Sequence, residues 1–237
     1  MHSVGSRELS HDRVAGQFDE LMNEYDVTRR IEVLVDQFLT PQILTAGLVL
    51  DAGCGTGRGT HTLRQRGASV VALDIGYNLI KSVKLKYHCA ATQSSILSLP
   101  FADQVFDVVF SSEVIEHTPD PAQAVRELYR VLKSRGHLVL STPNWWWRWS
   151  VSLASRLGFC PYDALENWMR PGELRRVIES MGGQVLAHRG IHLWPFQLRV
   201  LNRWSRWMDR YGRILLPIMI NQCMHCIKPG ANPTREL

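Results

Sequence analysis

The sequence predicts a single α/β domain built on a mostly parallel sheet, and three observations carry that prediction. Short apolar runs alternate with segments of helical periodicity along most of the chain. The first of those runs opens directly into a glycine-rich turn. At 237 residues, with 45% hydrophobic and 21% charged residues, the chain has the length and balance for one large α/β domain with additions.

The elements follow in order. The first forty residues read as two helices with no strand pattern. In the second, Val27, Ile31, Leu34, Val35 and Phe38 recur at helical spacing, and Pro41 ends the run. Gly47 to Asp51 is a short apolar run suited to a buried parallel strand, and Gly53 to Gly59 forms the turn into a helix that reaches Arg66. Ser69 to Asp74 is a second strand, again ending in an acid. Residues 78–86 read as a helix and 87–92 as a short strand. Val105 to Phe110 is a strand, and Pro121 suits the first turn of a helix running to Leu132. His137 to Ser141 is a fifth strand, and Glu173 to Met181 is a helix closed by Gly182 and Gly183. Val185 to Ile191 and Gln222 to Ile227 read as the last two strands.

Composition excludes several classes. No stretch of about 18 apolar residues is present to span a membrane. Met1 to Ser10 lacks the apolar core of a secretory signal, so a cytoplasmic location is expected. The net charge of +5 is too small to argue for nucleic-acid binding. Five scattered cysteines do not form a disulfide framework. Cys223-Met-His-Cys226 has the spacing of half a zinc site, but no second pair completes it. It also falls in a strand, where positions three apart face opposite ways. No metal is expected.

The segment Val49-Leu-Asp-Ala-Gly-Cys-Gly-Thr-Gly57 is the most informative. Gly53 and Gly55 let the backbone approach a ligand closely. The turn lies at the carboxyl end of a strand, where open α/β sheets bind ligands, and Asp74 can accept both ribose hydroxyls of a nucleoside. A dinucleotide fingerprint would need a third glycine at residue 58 or 60, and those are Arg58 and Thr60. Asp51 adds a negative charge that suits an ammonium better than a phosphate. A nucleoside bearing an amino acid and no phosphate is S-adenosylmethionine.

Residues 49–57 resemble motif I of the class I S-adenosylmethionine-dependent methyltransferases. Leu99-Pro-Phe101, Phe106-Asp107, Glu113-Val-Ile-Glu-His117 and the strand at 137–141 resemble, in unbroken order, later motifs of the type 11 family, the ubiquinone and menaquinone biosynthesis group. The resemblance covers roughly residues 45–142. It implies a Rossmann-like, seven-stranded sheet of order 3-2-1-4-5-7-6, with N-terminal helices at 1–44, a Trp-rich loop and helix at 143–181 and a lid insertion at 192–220. It further implies that Asp51, Ala52, Gly53 and Gly55 line the methionine part of the cofactor. Asp74 would bind the ribose, Ile75 the adenine, and Ile96 would offer its backbone N–H. Ser95 stands where the family has an aspartate for the adenine amino group, a weaker acceptor. Ser112 would approach the sulfonium region, and Phe18 and Tyr25-Asp26 would close over the cofactor, or else pack the two N-terminal helices on the sheet.

Methyl transfer from a sulfonium is an in-line displacement, and a base is needed only when the acceptor must lose a proton. His117 is the candidate base, with His192 behind it; hydrogen bonding that merely fixes the loop is the alternative role. Trp145-Trp-Trp-Arg-Trp149 places four tryptophans in five residues, too many for one helix face to bury. Arg199, Arg203, Arg206, Arg210 and Arg213 are spaced as one helical stripe beside Val200, Trp204, Trp207 and Tyr211. This reads as a lid suited to an anionic membrane surface or a lipid-like acceptor, against the alternative of a solvated basic face. The expected function is methyl transfer to a small or lipid-like acceptor, at oxygen. Transfer to nitrogen or carbon is the runner-up, and a catalytically silent cofactor-binding protein the second class.

Overall fold

The computed structural model describes residues 23–150, 167–195 and 199–230. Phe18, Cys160 and residues 151–166 of the Trp-rich segment lie outside them. Helix α1 (Glu24–Ile31) starts where the Asn23 side chain accepts a hydrogen bond from the Asp26 amide at 3.3 Å, and it widens into a π-helical turn at Glu32–Gln37. The widening lets three consecutive residues, Val33, Leu34 and Val35, all pack inward. Helix α2 (Pro41–Thr45) begins with proline at its first turn, under a Thr40 cap.

The sheet then unfolds in the anticipated alternation: β1 (Leu48–Ala52), α3 (Arg58–Gln65), β2 (Ser69–Asp74), α4 (Tyr77–Tyr87), β3 (Ala90–Gln93), β4 (Phe106–Ser112), α5 (Pro121–Arg130) and β5 (Leu132–Pro143). Helix α6 (Pro171–Ser180), β6 (Gln184–Ile191), a short α7 (Asn202–Met208) and β7 (Asn221–Ile227) complete it. The strands lie in the order β3-β2-β1-β4-β5-β7-β6, with only β7 antiparallel to its neighbours. This is the expected order.

Strand alternation sorts side chains into two cores. Leu50, Val109, Leu138 and Leu140 face α5 and α6, packing with Leu128, Leu174 and Ile178. Val49, Val108, Phe110 and Val139 face the other way, onto Val33, Leu34 and Leu63. Cys223 and Cys226 fall in different clusters, as strand residues three apart should.

Two expectations need correction. Strand β5 begins at Leu132, five residues before the predicted His137, because the chain turns straight from α5 into pairing with Phe106 and resumes regular register only at Val108–His137. The segment 199–213 is not one helix. It is a 3-10 turn (Arg199–Leu201), then α7, then a second 3-10 turn (Asp209–Tyr211). The helix tightens from α to 3-10 at Asp209, the one buried acid of the segment, while the backbone stays right-handed helical through Gly212.

Candidate cofactor and acceptor site

The turn after β1 is shaped by glycine in the left-handed region: Gly53, Gly55 and Gly57 have φ of +78°, +52° and +86°. The Gly53 and Cys54 amides donate to the Leu73 carbonyl at 2.7 and 2.9 Å, which ties the turn to the end of β2. The two glycines singled out by the sequence then differ in role. A Cβ on Gly53 would meet Val114 at 2.3 Å, so Gly53 is required by protein packing. A Cβ on Gly55 would meet nothing within 4 Å, so Gly55 borders open space. The expectation of ligand clearance therefore fits Gly55, with Ala52 buried beneath the turn.

Two carboxylates flank this turn. Asp74 accepts from the Gly55 amide at 2.8 Å and the Gly76 amide at 2.9 Å, so backbone N–H groups fix its orientation. Asp51 is almost fully buried and accepts from the Thr60 hydroxyl at 2.6 Å. Burial lifts its pKa to about 7; the Asp74 charge adds to that rise and the Thr60 hydrogen bond opposes it. Next to them, the Ile75 carbonyl accepts from Gln93 at 2.9 Å, while the Ser95 hydroxyl accepts from the Leu97 amide at 3.2 Å. Ile96 is buried in the core beside them. Ser112, at the end of β4, is held by the Arg30 guanidinium and by Ser141, each at 3.0 Å.

That contact with Arg30 opens a charged junction which sequence reasoning missed. Arg30 is buried and its guanidinium grips Asp26 at 2.8 Å, with His192 3.1 Å from the other Asp26 oxygen. Burial alone would raise Asp26, but Arg30 and His192 together hold its carboxyl below the usual range. Arg29 pairs at 2.7 Å with Asp209, whose other oxygen receives the His192 amide. Tyr25 donates to the Asn202 carbonyl at 2.8 Å. Tyr25 and Asp26 thus bind α1 to the segment after β6, whereas the resemblance places them over the cofactor.

Glu113 is the second residue the sequence did not single out by role. It sits just past β4 with φ of +55°, an uncommon conformation for a residue with a side chain. One carboxylate oxygen accepts from Asn221 at 3.0 Å, the Ser141 hydroxyl also hydrogen-bonds the carboxylate, and the second oxygen is enclosed. Burial lifts its pKa to about 7 against the opposing pull of Arg30. By contrast, burial lowers His117 to about 4. Neighbouring Glu116 is buried and structural, accepting from Thr142 at 2.9 Å and, through its carbonyl, from the Asn167 amide. A signal for Glu113 was present in the sequence, as the first acid of Glu113-Val-Ile-Glu-His117, but its enclosure was not.

The Trp-rich segment follows β5 as a 3-10 turn capped by Asn144. Trp145 is covered by the Arg170 guanidinium at 4.1 Å, and Trp147 donates to the Ile218 carbonyl at 2.9 Å. Trp146 and Trp149 stand exposed.

Residues 50–140 match the sequence model of a methyltransferase-domain family, type 11. A "Probable S-adenosylmethionine-dependent methyltransferase" of Mycobacterium tuberculosis is 40% identical over 117 residues, covering 49% of this chain and 42% of that protein. The ubiquinone biosynthesis O-methyltransferase of Yersinia pestis is 31% identical over 157 residues, covering 60% of this chain and 63% of that one. The chain thus spans less than two thirds of either relative. In fold it is similar to a geranyl diphosphate C-methyltransferase from Streptomyces coelicolor A3(2), with a TM-score of 0.63 at 16% identity over 92% of this chain and 83% of that one. It is also similar to an S-adenosylmethionine-dependent methyltransferase from Mesorhizobium loti, with a TM-score of 0.63 at 15% identity over 92% of this chain and all of the other. Residues 50–140 thus carry the match to a type 11 methyltransferase domain, and the sheet they build is that of the class I S-adenosylmethionine-dependent methyltransferases to which the chain is similar.

Proposed function

We propose that the chain transfers a methyl group from S-adenosylmethionine to a small or lipid-like acceptor, at oxygen. The observation that carries this reading is the Asp74 carboxylate, oriented by the Gly55 and Gly76 amides beside the open space at Gly55. The residues present fit the cofactor. An acid at the end of β2 is placed for two ribose hydroxyls. Asp51, lifted to about 7 by burial, is a carboxyl group waiting for a cation, which the amino group of the methionine part provides. Ile75, Ser95 and Ile96 would take the adenine end, and Ser112 the reacting end. Oxygen as the acceptor atom is supported by the activity named for the Yersinia relative.

When bound, the cofactor supplies an already activated methyl group, so alignment of the acceptor can provide much of the acceleration. The chain's own residues do the rest. Asp51 and Asp74 fix the two ends of the donor. Glu113, held by Asn221 and Ser141 with its pKa lifted by burial to about 7, is our candidate to take the acceptor hydroxyl proton. It is better matched to this step than His117, whose burial makes it a weak base. The Trp145–Trp149 segment, exposed at Trp146 and Trp149, would receive an apolar acceptor.

Calorimetry with S-adenosylhomocysteine tests the donor site, and mass spectrometry of a panel of phenolic, amine and prenylated acceptors tests the transfer. We expect binding that is lost in Asp74→Ala and a mass gain on a hydroxyl acceptor. No binding by the wild type would sink the cofactor assignment. Binding with no methylated product from any acceptor would favour the catalytically silent alternative.

A further inference from the structure

We propose that the Trp145–Trp149 segment and residues 199–218 together form a face that docks on an anionic lipid bilayer, at the edge of the sheet where the acceptor would enter. Of the twelve large apolar or aromatic side chains standing exposed among the described residues, nine lie in that segment or in residues 194–218. Isolated exposed side chains are ordinary, but a concentration of this kind marks an interaction surface. Trp204 and Ile214 are 65% and 78% exposed, values that protein packing leaves unexplained.

The two segments are physically joined. Trp147 donates to the Ile218 carbonyl, and Asn144 donates to the Leu216 and Pro217 carbonyls at 2.9 and 3.2 Å. Trp207 sits edge-on to Trp204 and Tyr211, with ring centroids 6.4 and 5.7 Å away. In register, Pro143 and Ile191 both pair with Asn221, while Ser112 pairs with Ser141 two residues before Pro143. The face therefore lies along the same edge as the reacting end of the site.

Charge selects the occupant. Arg148, Arg203, Arg210 and Arg213 are exposed, with the Arg210 guanidinium 5.6 Å from the Trp207 ring. Arg206 is partly neutralised by Glu32 at 3.0 Å. The only acid in residues 199–218 is Asp209, and it is buried beneath Arg29. Exposed indoles flanked by unneutralised arginines match a surface of phosphate headgroups over hydrocarbon, where indole prefers the boundary and guanidinium grips phosphate. No helix among the described residues is long and apolar enough to cross a membrane, so the contact is with the surface of the bilayer. Only for its purpose, delivery of a lipid-like acceptor without passage through water, does this inference rest on the function proposed above.

The test is sedimentation of the full chain with vesicles of phosphatidylcholine alone, or mixed with phosphatidylglycerol, across a salt series. S-adenosylhomocysteine binding is measured in the same preparations, and wild-type affinity certifies that a variant is folded. We expect the wild type to sediment with the mixed vesicles far more than with phosphatidylcholine, and less as salt rises. The triple variant Arg203→Gln, Arg210→Gln, Arg213→Gln should lose about fivefold in partitioning per arginine, about 100-fold together. The pair Trp204→Ser, Ile214→Ser should weaken binding to the mixed vesicles even at low salt. A wild type that fails to sediment with mixed vesicles overturns the proposal, as does a triple variant that sediments like wild type. A dimer seen by light scattering, dissolved by Trp204→Ser and Ile214→Ser in a protein that ignores vesicles, would assign the face to a second copy and overturn it as well. If vesicle binding is lost while S-adenosylhomocysteine binding stands, docking alone has failed. If the wild type binds vesicles but not S-adenosylhomocysteine, the methyl-transfer reading has failed.

Discussion

Asp51 and Glu113 are both carboxyl groups that burial holds near pKa 7, and each makes a different measurable prediction. An ammonium group arriving at Asp51 would lower its pKa, so cofactor binding below about pH 7 should release a proton. Calorimetry in two buffers of different ionisation enthalpy reads that proton. The release should approach one per site at pH 6, vanish by pH 9, and be absent in Asp51→Asn, which should also bind about 10- to 100-fold more weakly. Equal release in Asp51→Asn would assign the proton elsewhere. For Glu113 the sign runs with turnover. Its carboxylate is the competent form, so kcat at saturating substrate should rise through pH 7 and level off above it. Glu113→Gln should lower the plateau by about 100-fold or more and remove the rise. His117 is neutral well above 4 and contributes no limb in that range. A His117→Ala loss below about threefold is expected, and a loss of about 100-fold would return it to the role of base. The acids Asp51 and Asp74 were legible in the sequence because each ends an apolar run. The base proposed above, Glu113, was not, because its burial and its partners Arg30 and Asn221 come from distant elements.

At the scale of elements, α1 and the segment around α7 are one construction. Arg29 and Asp209 stand 180 residues apart and form a nearly dry ion pair, with Arg29 6% and Asp209 0% exposed at their side chains. Removing Asp209 leaves the buried Arg29 guanidinium with only Glu32, at 2.9 Å, as partner, which costs about 3 kcal/mol, the lower end for a broken buried pair. Urea unfolding of Asp209→Asn should show a loss of that order. Arg206→Gln, which breaks only the exposed pair with Glu32, should cost about 1 kcal/mol or less. Similar losses in the two variants would mean that the Arg29–Asp209 pair is not the tie. This is also where local sequence reading reached its limit. Period and charge correctly indicated helix and exposed arginines near 199–213, but not the break at Asp209. Asp209 is held there by Arg29 and His192, and no local pattern announces a partner so far along the chain.

Across the whole molecule, β1 and β2 were legible as short apolar runs, while the order of the seven strands was implied by the family resemblance of residues 45–142 and not by the strands themselves. The junction at the sheet's edge predicts a division of stability that the strands alone would not suggest. Residues 24–31 and 202–211 should open together in hydrogen exchange, since Arg29, Asp26 and Tyr25 bind one to the surroundings of the other. In Arg29→Ala, exchange should quicken in both segments while β1, β4 and β5 keep wild-type protection. Acceleration confined to 24–31 would show the two to be independent.

The chain leaves the sheet after Ile191 and returns at Asn221, and these two residues face each other across the β6–β7 ladder. Cα atoms so paired lie only about 5 Å apart, so the segment leaves and rejoins the sheet at one point, and Asp209 and His192 then tie it to Arg29 and Asp26 of α1. A stretch of different length could be spliced in there without sliding any strand, because register is already set by the seven-residue pairing on either side. On the function and docking proposed above, the two tasks would fall to separate parts: a chassis of β1 to β5 for the donor, and a segment between Ile191 and Asn221 for placement and for the acceptor. A chimaera carrying a related methyltransferase's segment between Ile191 and Asn221, with Asp209 and His192 retained as the ties to α1, should keep its grip on the donor and change its clientele.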